Sequence, residues 1–287
     1  MSPTTSLKSS ISMKTRICDL DSLRHVNNRI YEQLCAEGRF RLLEKQGYSI
    51  EALLDKAFSL RPMASFVRFS LQQKSGSTLN IETEAFPLGN GIILWNHHIT
   101  QPDGKNVCQL QAKSETLDRH HKPVELLPLA DADPVQVLIE NVPRFSGNCS
   151  RVSSSYRAIY TDMDTFGNLP FAAFWRIFEE GRHMFGEQLG FTLQKLVQFD
   201  THIFWTSGTY QYYKPIKAGQ QVSIFTWLER IVRIRAYIRQ EIRSADGVDL
   251  LAASREEHLV VSLSQVRARE LPSEMTTMLQ AYTEYRD

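Results

Sequence analysis

The strongest periodicities in this chain are two apolar stripes at helical spacing, each followed by stretches where apolar and polar residues alternate. Ile30, Tyr31, Leu34, Cys35, Gly38 and Leu42 recur every three or four residues, as do Phe171, Phe174, Trp175, Phe178, Gly181 and Phe185. That spacing lays one apolar face along an α-helix. Gly47 and Gly190 stand where each helix should stop. Pro170 stands just inside the start of the second, where a missing N–H costs nothing. Gly38 and Gly181 lie on the apolar faces; glycine weakens a helix, so close approach of a sheet is predicted there. Beyond the stripes the period falls to two. From Ile231 to Arg243, Val232, Ile234, Ala236, Ile238 and Ile242 alternate with Arg233, Arg235, Tyr237, Arg239, Glu241 and Arg243. This reads as one half-buried antiparallel strand with a solvated arginine face. Asp103-Gly104 and Asp246-Gly247 read as hairpin turns.

The two stripes belong to an internal repeat. Asp19-Leu-Asp21-Ser-Leu-Arg-His25 resembles Asp162-Met-Asp164-Thr-Phe-Gly-Asn168, an offset of 162 − 19 = 143. The same offset carries Glu37-Gly38-Arg39 onto Glu180-Gly181-Arg182, Gly47 onto Gly190 and Asp103-Gly104 onto Asp246-Gly247, with no gap. The chain therefore divides into a first unit over 14–128, a linker over 129–152, a second unit over 153–272, and a C-terminal tail or helix over 273–287. A short helix is expected around 134–140. Each unit is α+β: one long helix wrapped by an antiparallel sheet.

Composition narrows the function. The 287 residues carry a formal net charge of +1, with 42% hydrophobic and 23% charged side chains. The balance excludes disorder as the main state and disfavours a nucleic-acid partner, which needs a cationic field. No stretch approaches the run of about 20 apolar residues that spans a membrane. Met1 to Thr15 is Ser/Thr-rich without an apolar segment, so it reads as a frayed tail and not a secretory signal. Cys18, Cys35, Cys108 and Cys149 form no close pair. They read as reduced thiols of a cytoplasmic protein, with Cys18 buried in a strand and inert.

The run Asp19-Leu-Asp21-Ser-Leu-Arg-His25-Val-Asn27-Asn28, followed by Tyr31 and Glu37-Gly38-Arg39, resembles the hotdog-fold thioesterase superfamily. The likeness is to 4-hydroxybenzoyl-CoA thioesterase-like proteins and acyl-ACP thioesterases. Tyr213-Lys-Pro215-Ile-Lys-Ala-Gly219 and the close of the first unit, Leu117-Asp118 to Leu127-Pro128, extend it. The resemblance implies two tandem hotdog units forming an intrachain pseudo-dimer. It implies hydrolysis of an acyl-CoA or acyl-carrier-protein thioester to free acid and thiol, with no cofactor and no metal. A homodimer of such double-hotdog chains is one assembly open to it. Two other readings stand beside it: a hotdog hydratase or dehydratase of acyl thioesters, and a non-catalytic acyl-thioester-binding subunit.

Thioester hydrolysis needs a base for water, or a nucleophile, and fixed donors for the developing oxyanion. A carboxylate just before a helix start, where N–H groups are unpaired, supplies both. Asp21 and Asp164 fit the first role, and the backbone N–H groups of 26–28 and 169–171 the second. By resemblance Asp21 matches the family's acidic position and His25 its histidine. In plant acyl-ACP enzymes an Asn lies between them, where this chain has Leu23. The second copy keeps Asp164 but has Asn168 for the histidine, which cannot shuttle a proton near neutral pH. Asn27, Asn28, Asn168, Glu37 and Glu180 are candidates for holding substrate. The plainer alternatives are that the aspartates cap the loops, that His25 is structural, and that Glu37 and Glu180 pair with Arg39, Arg182 or other charges.

Overall fold

A computed structural model describes residues 7–128 and 135–285. Contacts divide it into two units, the first comprising residues up to Ile139 with Met163–Ala173, the second Glu140–Asp162 with Phe174 onward.

In the first unit, strand β1 (Lys8–Lys14) leads through a 3-10 turn at Ile17–Asp19 to helix α1 (Asn28–Lys45). A short helix α2 (Ile50–Asp55) follows, then β2 (Ser59–Phe69), β3 (Thr78–Gly89), β4 (Ile92–Thr100) and β5 (Asn106–Leu117). The strands pair antiparallel in the order β1-β3-β4-β5-β2. Around the second unit the chain repeats this plan. It runs β6 (Val152–Arg157), a 3-10 turn at Tyr160–Asp162, α3 (Phe171–Gln188), α4 (Leu193–Gln198), β7 (His202–Tyr212), β8 (Gln221–Val232), β9 (Arg235–Ser244) and β10 (Leu250–Ser262). The order β6-β8-β9-β10-β7 is the first unit's order over again. A two-residue strand β11 (Arg267–Ala268) borders β10, and α5 (Ser273–Leu279) closes the unit.

The 143-residue offset matches α1 to α3, α2 to α4, β2 to β7 and β3 to β8 residue for residue. It holds without a gap through Asp103-Gly104 onto Asp246-Gly247, the stretch read from the sequence, and changes by one beyond it. Leu110 stands opposite His97, but Ser254 stands opposite Gln240, an offset of 254 − 110 = 144. The extra residue enters after the Asp246-Gly247 turn, where β10 has a register irregularity between Leu250 and Ala252.

Both helices form as their sequences dictate. The apolar stripes are buried throughout. Asn27 caps α1 by accepting the Arg29 N–H at 3.0 Å. Each helix closes on a left-handed glycine, Gly47 (φ 87°) and Gly190 (φ 76°), which only a residue without Cβ adopts freely. Pro170 stands immediately before the first residue of α3 instead of inside it, and its carbonyl accepts the Ala173 N–H at 3.0 Å.

The two helix glycines do meet the sheet. A Cβ on Gly38 would collide with the Thr83 hydroxyl, and one on Gly181 would come within 2.5 Å of Gln240 Nε2 and 2.6 Å of Ile224 Cγ2. Thr83 faces Gly38, with His97 bonded to it, and at the offset positions Thr226 and Gln240 face Gly181. In the first unit His97 Nδ1 lies 2.9 Å from the Thr83 hydroxyl and Nε2 lies 3.2 Å from Arg39, which forms a buried ion pair with Glu32. In the second, Gln240 donates to Thr226 at 3.0 Å, and Arg182 pairs with Glu256 at 2.6 Å. The acid has changed elements. Trp175 occupies the helix position of Glu32, and Glu256 occupies the strand position of Ala112, both opposite matching residues Trp95 and Ile238.

Several expectations are corrected. Lys8–Lys14 is not a frayed tail but an edge strand, registered on β3 from Glu84 to Thr78. Cys18 lies in a 3-10 turn and is exposed, not buried in a strand. Residues 135–140 form no helix, and Pro134 lies outside the described residues. Ile231–Arg243 is two strands: β8 ends at Val232 and β9 begins at Arg235, with Arg233 left-handed (φ 52°) in the turn. Nor is the arginine face solvated throughout. Arg239 is 1% exposed and pairs with Glu284 at 3.0 Å; Glu241 pairs with Arg151 at 3.2 Å. Residues 145–151 and 283–285 cover that face, through Glu284 N–H to the Leu228 carbonyl (2.9 Å) and Ser150 N–H to the Ala281 carbonyl (2.8 Å). No helix among the described residues is long and apolar enough to cross a membrane.

Candidate functional site

The two aspartates sit in loops of the same geometry. Asp21 Oδ1 accepts N–H groups from Leu23 (2.9 Å) and His25 (3.1 Å), its own N–H donates to the His25 carbonyl (2.8 Å), and its carbonyl accepts from Arg24 N–H (3.1 Å). Asp164 Oδ1 accepts from Phe166 (3.0 Å) and Asn168 (2.9 Å), and its N–H and carbonyl close the same ring with Asn168 and Gly167 (2.8 and 3.0 Å). The ring needs a left-handed residue at its fourth position. Gly167 (φ 76°) supplies it freely, and Arg24 (φ 66°) at some cost.

One oxygen of each aspartate therefore staples its loop, which is the capping role sequence reasoning set beside catalysis. The other oxygen, Oδ2, has no hydrogen-bond donor among the described residues in either loop. Burial raises the Asp164 carboxyl above the ordinary range, against the pull of the Asn168 and Phe166 N–H groups. Ahead of each loop a second aspartate braces the chain: Asp19 accepts the Arg16 N–H at 2.8 Å, and Asp162 the Ile159 N–H at 3.1 Å.

The helix starts offer fewer donors than their position suggests. Val26 N–H is spent on the Gln73 carbonyl (2.9 Å), Asn27 N–H on the Asp19 carbonyl (2.8 Å), Arg29 N–H on the Asn27 side chain and Ile30 N–H on the Asn27 carbonyl (2.9 Å). Asn28 N–H is the one in 26–30 without a protein acceptor among the described residues. At α3 Pro170 has no N–H, and Ala172 N–H is taken by the Glu32 carboxylate. That bond, the Arg39 guanidinium 5.1 Å from the Phe171 ring, and the Phe40–Phe166 stack at 6.0 Å hold Met163–Ala173 within the first unit.

The remaining residues separate into two groups. His25 and Asn168 lie in the rings beside the aspartates, both half-buried. The His25 imidazole has no hydrogen-bond partner among the described residues, and Asn168 Nδ2 is a buried donor with no acceptor. Asn27 is the helix cap and Asn28 the first helical residue. Glu37 and Glu180 stand apart. Each follows its helix's first residue by nine positions, about 14 Å along the axis at 1.5 Å per residue. Glu37 pairs with Arg41 at 2.9 Å on the surface, and Glu180 is exposed. Arg39 and Arg182, their suggested partners, pair with Glu32 and Glu256 instead.

Tyr31 is the residue near the first loop that chemical reasoning passed over. Its hydroxyl accepts the Gln73 N–H and lies within reach of the Asp21 charge. Its place one helical turn beyond Asn27 was the available signal. Among the described residues no three His, Cys, Asp or Glu side chains gather as a metal site.

Comparison with known proteins places these features. Residues 160–279 match the sequence model of the thioesterase-like superfamily. An acyl-ACP thioesterase from Bacteroides thetaiotaomicron superposes with a TM-score of 0.66 at 12% identity, covering 88% of this chain and 98% of that one. The 12:0-ACP thioesterase from Umbellularia californica gives a TM-score of 0.69 at 11% identity, covering 88% and 94%. At such identities the likeness is one of fold. The sequence likeness to the thioesterase-like superfamily is thus carried by residues 160–279, and nearly the whole chain shares the hotdog-type fold of these two structures.

Proposed function

We propose that the chain hydrolyses acyl thioesters of CoA or acyl carrier protein to free acid and thiol. On this reading the chain is two tandem hotdog units, 14–128 and 153–272, joined by 129–152 as an intrachain pseudo-dimer in the cytoplasm. The observation that carries it is the pair of loop aspartates, each with one oxygen fixed by two N–H groups and the other unengaged, each just before a helix start.

Asp21 is the base we assign first. Its free oxygen takes a proton from water as that water attacks the thioester carbonyl. The oxyanion draws on the unspent Asn28 N–H and the positive end of α1. When the tetrahedral centre collapses the C–S bond breaks, His25 hands a proton to the thiolate, and the proton held by Asp21 replaces it, which restores both groups. Asn27 fixes the helix start, and Asn28 offers it to substrate. Asp164 with Asn168 is the second, less furnished site: Asn168 has an unused donor but no titratable proton.

The test is thiol release across acyl-CoA chain lengths with Asp21→Asn and Asp164→Asn. Asn keeps the oxygen that staples the loop and removes only the charge, so capping and catalysis separate. At least one substitution should lower kcat by about 10²-fold or more, with melting midpoints near wild type. Full rates in both would remove the assigned carboxylates.

A further inference from the structure

We propose that the outer face of the second unit's sheet binds a small monovalent anion, chloride-like in size, on the buried edge of the Arg239 guanidinium. This stands independently of the hydrolytic reading above. Arg239 is 1% exposed. Its Nη1 donates to Glu284 at 3.0 Å, while Nε and Nη2 have no acceptor among the described residues. Those two nitrogens form the edge of a guanidinium that grips an anion with parallel bonds. Arg255, directly opposite on β10, shows that edge in use: its Nε and Nη2 take the two oxygens of Glu229 at 2.6 and 3.0 Å. The matching edge of Arg239 meets no carboxylate of the protein.

The local charge favours an anion over a water. Beside residues 145–151 and 283–285, four arginines face three glutamates. Glu229 serves Arg255, and Glu241 serves both Arg151 (3.2 Å) and Arg243 (2.8 Å). Glu284 serves Arg239, but it also accepts the Ser146 N–H (2.8 Å) and the Trp227 indole N–H (2.9 Å). Arg151 and Arg239 both approach the Trp227 ring, at 5.8 and 5.1 Å. Farther along, Arg235 and Glu257 neutralise one another at 2.9 Å. Glu140, Arg144 and Arg230 lie at the exposed surface, where water and salt screen them. One positive charge is left over on this face, and the buried residue with two unmade donors is Arg239. A buried cation short of hydrogen bonds is costly. An anion there answers both the charge and the donors, whereas a water answers only the donors. Because Arg239 also holds Glu284, a bound anion stabilises the seating of the segments that cover the face.

Melting of the full chain at constant ionic strength is the test, with sodium chloride exchanged for sodium gluconate, a bulky anion that a closed face excludes. Chloride at about ten times its dissociation constant should raise the midpoint by roughly 3–6 °C, with saturation, and bromide should act alike. The ³⁵Cl resonance should broaden when protein is added. Arg239→Met with Glu284→Gln removes the cation and its partner together and strands no ion. Both effects should vanish in that double variant and persist in Arg144→Met at the exposed surface. Crystals of the wild-type chain soaked in bromide should show its anomalous signal within hydrogen-bonding distance of Arg239 Nε and Nη2, a readout that no variant's folding can obscure. Equal midpoints in chloride and gluconate without broadening overturn the proposal. So do effects that survive in the double variant, or bromide at the surface alone, either of which marks an adventitious ion only.

Discussion

Glu32→Ala should be among the most damaging single substitutions in the first unit, although Glu32 touches neither aspartate loop by hydrogen bond. Its side chain is 1% exposed and that of its partner Arg39 is 7% exposed. Removing the carboxylate leaves a buried guanidinium whose nearest polar neighbour is His97, kept neutral by burial and by Arg39 itself. Breaking a buried pair from one side costs about 3–5 kcal/mol. Losing the bond to Ala172 N–H at the start of α3 adds about 1 kcal/mol. Removing both charges should cost far less, because no ion is stranded: Glu32→Met with Arg39→Met should recover most of the loss. Urea unfolding read by Cm, with the slope checked against wild type, measures both variants. A loss under about 1 kcal/mol for Glu32→Ala, or a double variant weaker than the single, would refute the account.

Two further outcomes follow from the core and the C-terminus. Gly181→Ala gains about 1 kcal/mol of helix propensity, but its Cβ would press on Gln240 and Ile224. Overpacking of about 1–3 kcal/mol should win, giving a lower melting midpoint; a raised midpoint would show that the sheet yields. Burial pushes the Glu284 carboxyl up, but donors from Ser146 and Trp227 and the Arg239 charge outweigh it and hold it below the ordinary glutamate range. A depressed carboxylate stabilises above its unfolded pKa and loses that contribution as pH falls through the folded value. Glu284→Gln should therefore be less stable at neutral pH and show a flatter stability profile below about pH 4.5. Parallel acid profiles for the two proteins would contradict this.

What the sequence makes legible is what depends on neighbours along the chain. The helix stripes, their glycine ends, the Asp-Gly turns and the sheet contact at Gly38 and Gly181 all follow from local spacing. The Lys8–Lys14 strand escapes because an edge strand buries little, and its lysines and serines give a weak alternation. The burial of Arg239 escapes because residues far away in sequence cover it. The partner of Arg39 was within reach: Glu32 lies seven residues earlier, two turns along the same face, whereas Glu37 at two residues points elsewhere. Glu256 gives no such clue for Arg182, since only strand pairing brings it there. In the aspartate loops the sequence locates the residues, but the engagement of one oxygen and not the other belongs to the three-dimensional ring.

The near-constant offset between the halves makes the molecule its own control experiment. For almost every side chain in one half, evolution has already tried an alternative on a closely matched backbone in the other. Arg24 against Gly167, Tyr31 against Phe174 and Glu32 against Trp175 are ready-made exchanges measured in one tube at one temperature. Transplanting residues between halves asks what each side chain contributes while solvent, sample and scaffold stay the same.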